Sequence, residues 1–76
     1  MTKTITATIW REQDGYVSLC SELDIASQGK TVEEARMNLR EAVELFFEMA
    51  HPNEIAERIN QEIYITPLEV KIEKAA

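Results

Sequence analysis

Hydrophobic and polar residues alternate with a period of two near the start of the chain. Residues 4–10 and residues 16–21 both show this pattern, and their β-branched residues favour strands with one buried face. The residues predicted to face inward are Ile5, Ala7 and Ile9 in the first strand and Val17 and Leu19 in the second. Asp14 and Gly15 lie between the strands, and Asp-Gly adopts positive φ at low cost, so the pattern predicts a β-hairpin.

The spacing changes to that of a helix after Thr31. Residues 31–34 have the sequence of a capping box, in which the Thr31 hydroxyl accepts the Glu34 N–H and the Glu34 carboxylate reaches back. Apolar residues then recur at helical spacing as far as Ala50 and form one stripe. Pro52 disfavours helical backbone at the residue before it, which predicts the end of the helix near Ala50. The opposite face carries Glu41, Glu44 and Glu48.

Three shorter segments complete the predicted order. A third strand is expected at residues 25–28, and a short helix at residues 53–60 with Asn53 as its cap and Ile55 and Ile59 facing inward. Residues 62–73 predict a final strand whose alternation changes at its proline. The order β-β-β-α-β predicts an α+β fold, with an antiparallel sheet of three to four strands and one long helix packed on one face. Residues 1–76 are expected to form a single domain.

The charge of the chain narrows the classes of partner. Among its 76 residues 14 are acidic and 8 basic, for a formal net charge of −6. The basic residues do not cluster, and the acidic excess repels phosphate backbones, so direct binding of nucleic acid is disfavoured. A basic protein partner is favoured by the same argument. A chain this short buries only about 60% of its unfolded surface, so a partner or oligomerisation is expected to stabilise it.

The sequence also indicates a compartment. Residues 1–4 contain no basic segment that leads into an apolar run, and no apolar stretch approaches the ~20 residues of a membrane span. Cys20 is the single cysteine, so it has no intrachain disulfide partner, as is typical of a reducing compartment. We therefore expect a cytoplasmic protein with no membrane segment.

Residues for catalysis are sparse. Cys20 and His51 are the one available Cys/His pair, and they are predicted to lie in mid-strand and at a helix end, which disfavours a nucleophilic site. One cysteine and one histidine cannot build a structural zinc site. Gly15 and Gly29 both lie in predicted turns, so no glycine-rich phosphate loop is present. Neither an enzyme nor a cofactor is expected.

Acidic residues near the strand ends are the candidate binding groups. Glu22 and Asp24 share one parity, and with Asp14 they are expected to form an acidic patch that binds a partner. Two other interpretations stay open for this cluster. The acids are either solvated loop residues or Mg²⁺ ligands of a nuclease, and the nuclease is the weakest of the three because no basic residues lie nearby to receive nucleic acid.

Two apolar residues leave the buried stripe of the long helix. At 100° per residue, Met37 falls among the glutamates and Leu45 falls at the margin of the stripe. Extra apolar residues on the outside of a helix suit an interface between copies of a small protein. We therefore expect a homodimer or homotetramer, with Met37 and Leu45 at its interface.

About two thirds of the chain resembles a known family. The matching residues are Tyr16-Val17-Ser18-Leu19-Cys20, Glu22-Leu23, Ser27-Gln28-Gly29-Lys30-Thr31, Glu33-Glu34-Ala35, Asn38-Leu39 and Glu41-Ala42-Val43. A strand followed by Ser-x-Gly-x-Thr and a helix that begins with Glu-Glu-Ala is similar to the HicB family of antitoxins. This resemblance implies a partial, degenerate RNase H-like fold without the catalytic carboxylates. It also implies a partner, a small basic RNase toxin of the HicA type.

The chain departs from the HicB pattern in two places. Many members have Glu-Leu-Pro-Gly-Cys before the Ser-x-Gly segment, where this chain has the shorter sequence of residues 22–26. Full-length members also carry a C-terminal DNA-binding domain, which is not expected here because the sequence reaches Ala76 directly after the last predicted strand. The leading hypothesis is an antitoxin domain that binds and neutralises a HicA-type RNase. The alternative is an orphan structural or adaptor module of the same fold without a toxin.

Overall fold

The α+β architecture is confirmed by the computed structural model of the protein, which describes residues 4–74. Three strands form one antiparallel sheet in the order β1-β2-β3, and the long helix that follows packs on one face of it. The elements are β1 (Thr8–Glu12), β2 (Gly15–Cys20), β3 (Ile25–Gly29), α1 (Val32–Met49) and α2 (Pro52–Ile59). The first strand therefore begins later than predicted, because residues 4–7 are outside any strand.

The hairpin of β1 and β2 is confirmed, with a different residue at positive φ. Glu12 pairs with Gly15, so Gln13 and Asp14 form a two-residue turn. Gln13 adopts φ 56°, and neither glycine has positive φ. Glycine is favoured at position 15 for a steric reason instead, because an added Cβ would lie 3.0 Å from the carbonyl oxygen of Gly29 on β3.

The prediction that Val17 and Leu19 are the buried residues of β2 is wrong. Ser18 and Cys20 are fully buried beneath α1, whereas Val17 and Leu19 are half-buried on the open face of the sheet. Ile9 pairs with Ser18 and therefore lies on the helix side, as predicted for β1. The two buried side chains of β2 are small because the helix lies very close to the sheet above them.

The close approach of α1 is visible at three residues. A Cβ added to Gly29 would lie 2.5 Å from the backbone nitrogen of Ala35, so only glycine fits beneath the start of the helix. The hydroxyl of buried Ser18 donates to the Ala35 carbonyl over 2.9 Å, which satisfies a polar group that would be costly if buried alone. Sheet and helix are thus joined by both packing and a hydrogen bond.

The helix begins where its capping sequence predicts. Thr31 Oγ1 accepts the Glu34 N–H over 3.0 Å. The Glu34 carboxylate reaches back one residue further than expected, to the N–H of Lys30 over 3.0 Å. At the other end the Ala50 N–H donates to the Phe46 carbonyl over 2.8 Å.

Helix α2 is capped by His51 rather than by Asn53. The His51 Nδ1 accepts the Asn53 N–H over 3.0 Å, and Pro52 occupies the first turn, where its missing N–H costs nothing. Arg58 donates to the Leu23 carbonyl over 2.5 Å and lies over the Phe46 ring. Both contacts hold α2 against the end of the main core, whose buried hydrophobic residues are Cys20, Leu23, Ala35, Leu39 and Val43.

The predicted final strand is not formed. Residues 61–73 are neither helix nor strand, and every side chain from position 60 to position 74 is exposed. Their alternating pattern is real, but this part of the chain has no strand partner among residues 4–74. The described sheet therefore has three strands.

Replacing Gly29 with alanine should destabilise the fold. The new Cβ would force the start of α1 away from β3, and overpacking of this kind costs about 1–3 kcal/mol. Gly15→Ala is the matched comparison, with a smaller expected loss because its nearest contact is 3.0 Å rather than 2.5 Å. Denaturant unfolding of both variants measures the difference. Equal losses would contradict the close contact at Gly29.

Candidate partner-binding surface

Cys20 and His51 are held apart by separate partners. Cys20 is fully buried, and its thiol donates to the Glu22 carboxylate over 3.7 Å. Burial, together with the negative charge of Glu22, raises the pKa of the Cys20 thiol and disfavours the nucleophilic thiolate. His51 is exposed and its Nδ1 caps α2. The two side chains do not form a catalytic pair.

Glu22 has a structural role in the turn after β2. Its Oε2 accepts the N–H of Thr6 over 2.9 Å, and its Oε1 accepts the Cys20 thiol. Partial burial alone would raise the pKa of Glu22, but hydrogen bonds from the backbone N–H groups of Glu22 and Thr6 outweigh it, and the pKa is lowered. The carboxylate thus fastens residues 4–7 to the sheet, and its oxygens are already engaged.

The three acids predicted to form one patch lie at two ends of the sheet. Asp14 is in the turn between β1 and β2, whereas Glu22 and Asp24 are in the turn between β2 and β3. Strand β2 separates the turns, and its six residues span about 20 Å. Asp24 is exposed at φ 55°. Binding of a partner by these acids stays a prediction, and it would need two separate contacts.

A continuous acidic surface lies instead along α1. Met37, Glu41, Glu44 and Glu48 follow one another at intervals of four, three and four residues, and all are exposed. Such spacing places them in one line on the helix, about 17 Å long and opposite the buried stripe. We call these four residues the acidic ridge. The spacing is visible in the sequence, which places Glu41, Glu44 and Glu48 on the face opposite the apolar stripe without indicating a role for them.

The charges of the acidic ridge are only partly neutralised. Glu44 accepts from Arg40 Nε over 3.4 Å, in an exposed pair that is worth little. Glu41 and Glu48 form no salt bridge within residues 4–74. Within the described part of the chain, the ridge therefore offers a basic partner two carboxylates on a helix that no salt bridge compensates.

Met37 and Leu45 are both exposed, as expected for residues outside the stripe. They are eight residues apart on α1, so their directions differ by about 80° around the helix. Met37 belongs to the acidic ridge, and Leu45 lies beyond its edge. A role for either residue in an interface between copies stays a prediction.

The open face of the sheet is a second uncovered surface. Trp10 pairs with Val17 across the two strands, and Leu19 follows on the same face. The Trp10 side chain is 39% exposed, and its Nε1 donates to Glu12 over 3.2 Å. Helix α1 packs only on the other face, so this apolar surface has no cover among the described residues. Sequence reasoning missed it because it assigned Val17 and Leu19 to the core.

Residues 4–74 contain neither a candidate metal site nor a candidate membrane-spanning helix. No group of three or more His, Cys, Asp or Glu residues is arranged to hold a metal ion. Neither helix of this part of the chain has the length and apolar character needed to cross a membrane.

Comparison with known proteins identifies a relative that matches most of the chain. The chain is 34% identical over 67 residues to a UPF0150 protein of Helicobacter pylori (strain J99 / ATCC 700824), a match that covers 87% of this chain and 93% of the relative. No protein-family model matches the chain. No solved structure matches it.

Replacement of Glu22 by glutamine should weaken the fold in a pH-dependent way. Because the folded-state pKa is lowered, Glu22 stabilises the fold above its ordinary value of 4.5, and this contribution is lost as the pH falls through the folded-state value. Weakening the bond to Thr6 should cost about 1 kcal/mol near neutral pH. Denaturant unfolding of both proteins at about pH 7 and about pH 3 measures the difference, which should shrink in acid.

Glu41→Gln is the control for this experiment, since the Glu41 side chain makes no hydrogen bond or salt bridge within residues 4–74. Its unfolding free energy should stay within about 0.5 kcal/mol of the wild type at neutral pH. A Glu22→Gln effect of the same size at both pH values would contradict the assigned role of the carboxylate.

Proposed function

We propose, from the premise that this chain belongs to the UPF0150 family, that it is an antitoxin domain of the HicB type. On this proposal it binds and neutralises a small basic RNase toxin of the HicA type in the cytoplasm, and it acts by contact rather than by catalysis. Membership of the family rests on the relative described above, which matches most of both chains. The name of that relative states no activity, so the antitoxin role rests on the HicB-like residues and on the surface of this chain.

The observation that carries the proposal is the acidic ridge. A helix face with Glu41 and Glu48 uncompensated, on a chain of net charge −6, attracts a cationic surface and repels nucleic acid. Complementary charge raises the rate of encounter and suppresses wrong partners more than it adds affinity. A domain of this kind inhibits an RNase by covering the basic surface that the enzyme needs for its own substrate.

The residues of the HicB-like motif have structural roles in this chain. Gly29 lies directly beneath the start of α1, and Thr31 caps that helix. Ser18 bonds the helix to the middle strand. The motif thus builds the same sheet-and-helix unit that the resemblance implies, which supports a shared fold. Specificity for a partner would then reside in exposed positions outside the motif.

The apolar open face of the sheet also suits a protein that acts by binding another protein. Trp10 with Val17 and Leu19 provides the kind of aromatic and aliphatic surface that anchors protein interfaces. The acidic ridge and this open face lie on opposite sides of the molecule, because α1 covers only one face of the sheet. A partner that uses the ridge therefore leaves the open face uncovered.

Co-expression with the neighbouring gene product tests the function itself. If a short basic protein is encoded beside this chain, its expression alone should arrest growth, and this chain should relieve the arrest and co-purify with it. A neighbour that is harmless, or one that still arrests growth when both are made, would favour an orphan adaptor module instead.

Two double charge reversals should locate the contact. Glu41→Lys/Glu48→Lys alters the acidic ridge, and Asp14→Lys/Asp24→Lys alters the two turns by the same change of charge. We expect the ridge variant to weaken binding of the co-purified partner about tenfold or more at low salt, since each charge pair contributes about 1 kcal/mol or more. The turn variant should weaken binding only slightly. Titration calorimetry in low and high salt measures both.

The outcomes of these reversals separate the candidate surfaces. A greater loss in the turn variant would return the contact to Asp14 and Asp24. Equal losses would mean that net charge acts without a defined surface. Unchanged affinity in both variants at low salt would exclude an electrostatic contact at either place. Circular dichroism confirms that each variant keeps its fold.

A further inference from the structure

Residues 61–74 have the sequence pattern of a half-buried strand, but all of their side chains are exposed to solvent. Leu68, Val70 and Ile72 alternate with the charged residues Glu69, Lys71 and Glu73. A strand with this pattern buries one face, yet Leu68 is 84% exposed, Val70 73% and Ile72 85%. Residues 4–74 of a single chain therefore provide no cover for the apolar face of this segment.

The dimensions of the molecule also show that part of the chain lies outside the compact fold. Its radius of gyration is 15.5 Å, whereas a compact domain of this length has about 11 Å. Its longest extent is 51 Å against 29 and 17 Å in the other directions. The excess comes from the C-terminal segment, which extends away from the core and leaves its apolar residues in solvent.

A place for such a segment exists at the edge of the sheet. A groove of about 1000 Å³ lies between residues 4–7 and the side of α1. Its apolar lining includes Ile5, Ala7, Leu39, Val43, Phe47 and Ile59. Four charged residues of α1 also line it, namely Arg36, Arg40, Glu44 and Glu48. Helix α1 packs chiefly over β3 and β2 and touches β1 least, so the core is open on this side. Strand β1 is paired only with β2 within residues 4–74, and its outer edge is free.

The free segment and the open groove are complementary. A strand added to the outer edge of β1 would satisfy the unpaired backbone groups of that edge and direct alternate side chains into the groove. The apolar set of residues 68–72 would enter the groove, and the charged set would face solvent. Each chain carries one such segment and one such groove, as a self-complementary twofold interface requires.

None of residues 61–74 lines the groove of its own chain. Ile59, the last residue of α2, already lies at the wall of the groove, and every residue from 60 to 74 is exposed. Fully extended, the 14 residues from 61 to 74 reach up to about 46 Å, which is enough to cross to a neighbouring molecule. The occupant that fits without refolding the chain is the segment of a second copy.

We propose that the protein is a strand-exchanged dimer, in which residues 61–74 of each copy lie in the groove of the other along the outer edge of β1. Leu68, Val70 and Ile72 fill the groove, and Glu69, Lys71 and Glu73 face solvent. Glu44 and Glu48 of the acidic ridge lie at the wall of the groove, so the dimer contacts one side of the ridge, and Met37 and Glu41 lie outside it. The dimer does not depend on the proposed toxin partner.

Light scattering after size exclusion at micromolar concentration tests the dimer. The wild type should have twice the chain mass of 8.7 kDa. Val70→Asp/Ile72→Asp should reduce the mass to that of one chain, because the two carboxylates would replace apolar side chains against the apolar part of the groove, in which Glu44 and Glu48 already supply negative charge. Lys71→Asp is the matched control, with the same change in net charge on the solvent side of the same segment, and it should remain a dimer. A monomeric wild type would overturn the proposal, as would a dimeric Val70→Asp/Ile72→Asp variant.

A second measurement uses the unaltered protein, in case the double variant fails to fold. Equal amounts of isotope-labelled and unlabelled chains are mixed, and isotope-filtered nuclear Overhauser spectra then report only contacts between chains. We expect contacts from the methyl groups of Val70 and Ile72 to the ring of Phe47 of the other copy. The same contacts within one chain only would show that the segment folds back, and would overturn the exchange.

Discussion

The contact between the start of α1 and strand β3 sets the positions of the other parts of the molecule. Gly29 has no room for a side chain beneath Ala35, and Ser18 on the adjacent strand bonds the Ala35 carbonyl. Because the helix lies so close on this side, it covers β2 and β3 and leaves β1 open. The groove beside β1 and the outward direction of the acidic ridge both follow from that placement.

Interactions between residues close in sequence were sufficient to predict the hairpin and the start of α1. The prediction failed for the buried face of β2, which depends on residues far away in sequence. The hairpin and the start of α1 depend on neighbours in sequence, namely the turn before Gly15 and the cap at Thr31, and both are confirmed. The buried face of β2 depends on the helix. Alternation identifies Val17 and Leu19 as the more apolar set, but the close helix requires small residues, so Ser18 and Cys20 are buried instead.

The residues of the candidate site also differ in how far the sequence predicts their arrangement. Helical spacing alone places Glu41, Glu44 and Glu48 on one line, so the acidic ridge could be derived from the sequence. The predicted patch of Asp14 with Glu22 and Asp24 does not form, and the predicted strand at residues 16–21 already implies this, because it places the two turns at its opposite ends. Nothing local to Glu22 indicates that its carboxylate holds the backbone of Thr6, sixteen residues earlier in the chain.

The C-terminal segment shows that an alternating pattern predicts a buried face but not the contact that buries it. Alternation in residues 68–73 says that one face requires cover, but it carries no information about which chain supplies that cover. Five buried hydrophobic residues form a small core for a chain of this length, and burial of one leucine, valine or isoleucine stabilises by about 1.5–3 kcal/mol. A second copy that covers three such residues on each chain would therefore contribute as much as a large part of the core. For a domain this small, an unmet strand pattern together with an open groove is evidence about assembly, because the fold of a single chain leaves both unexplained.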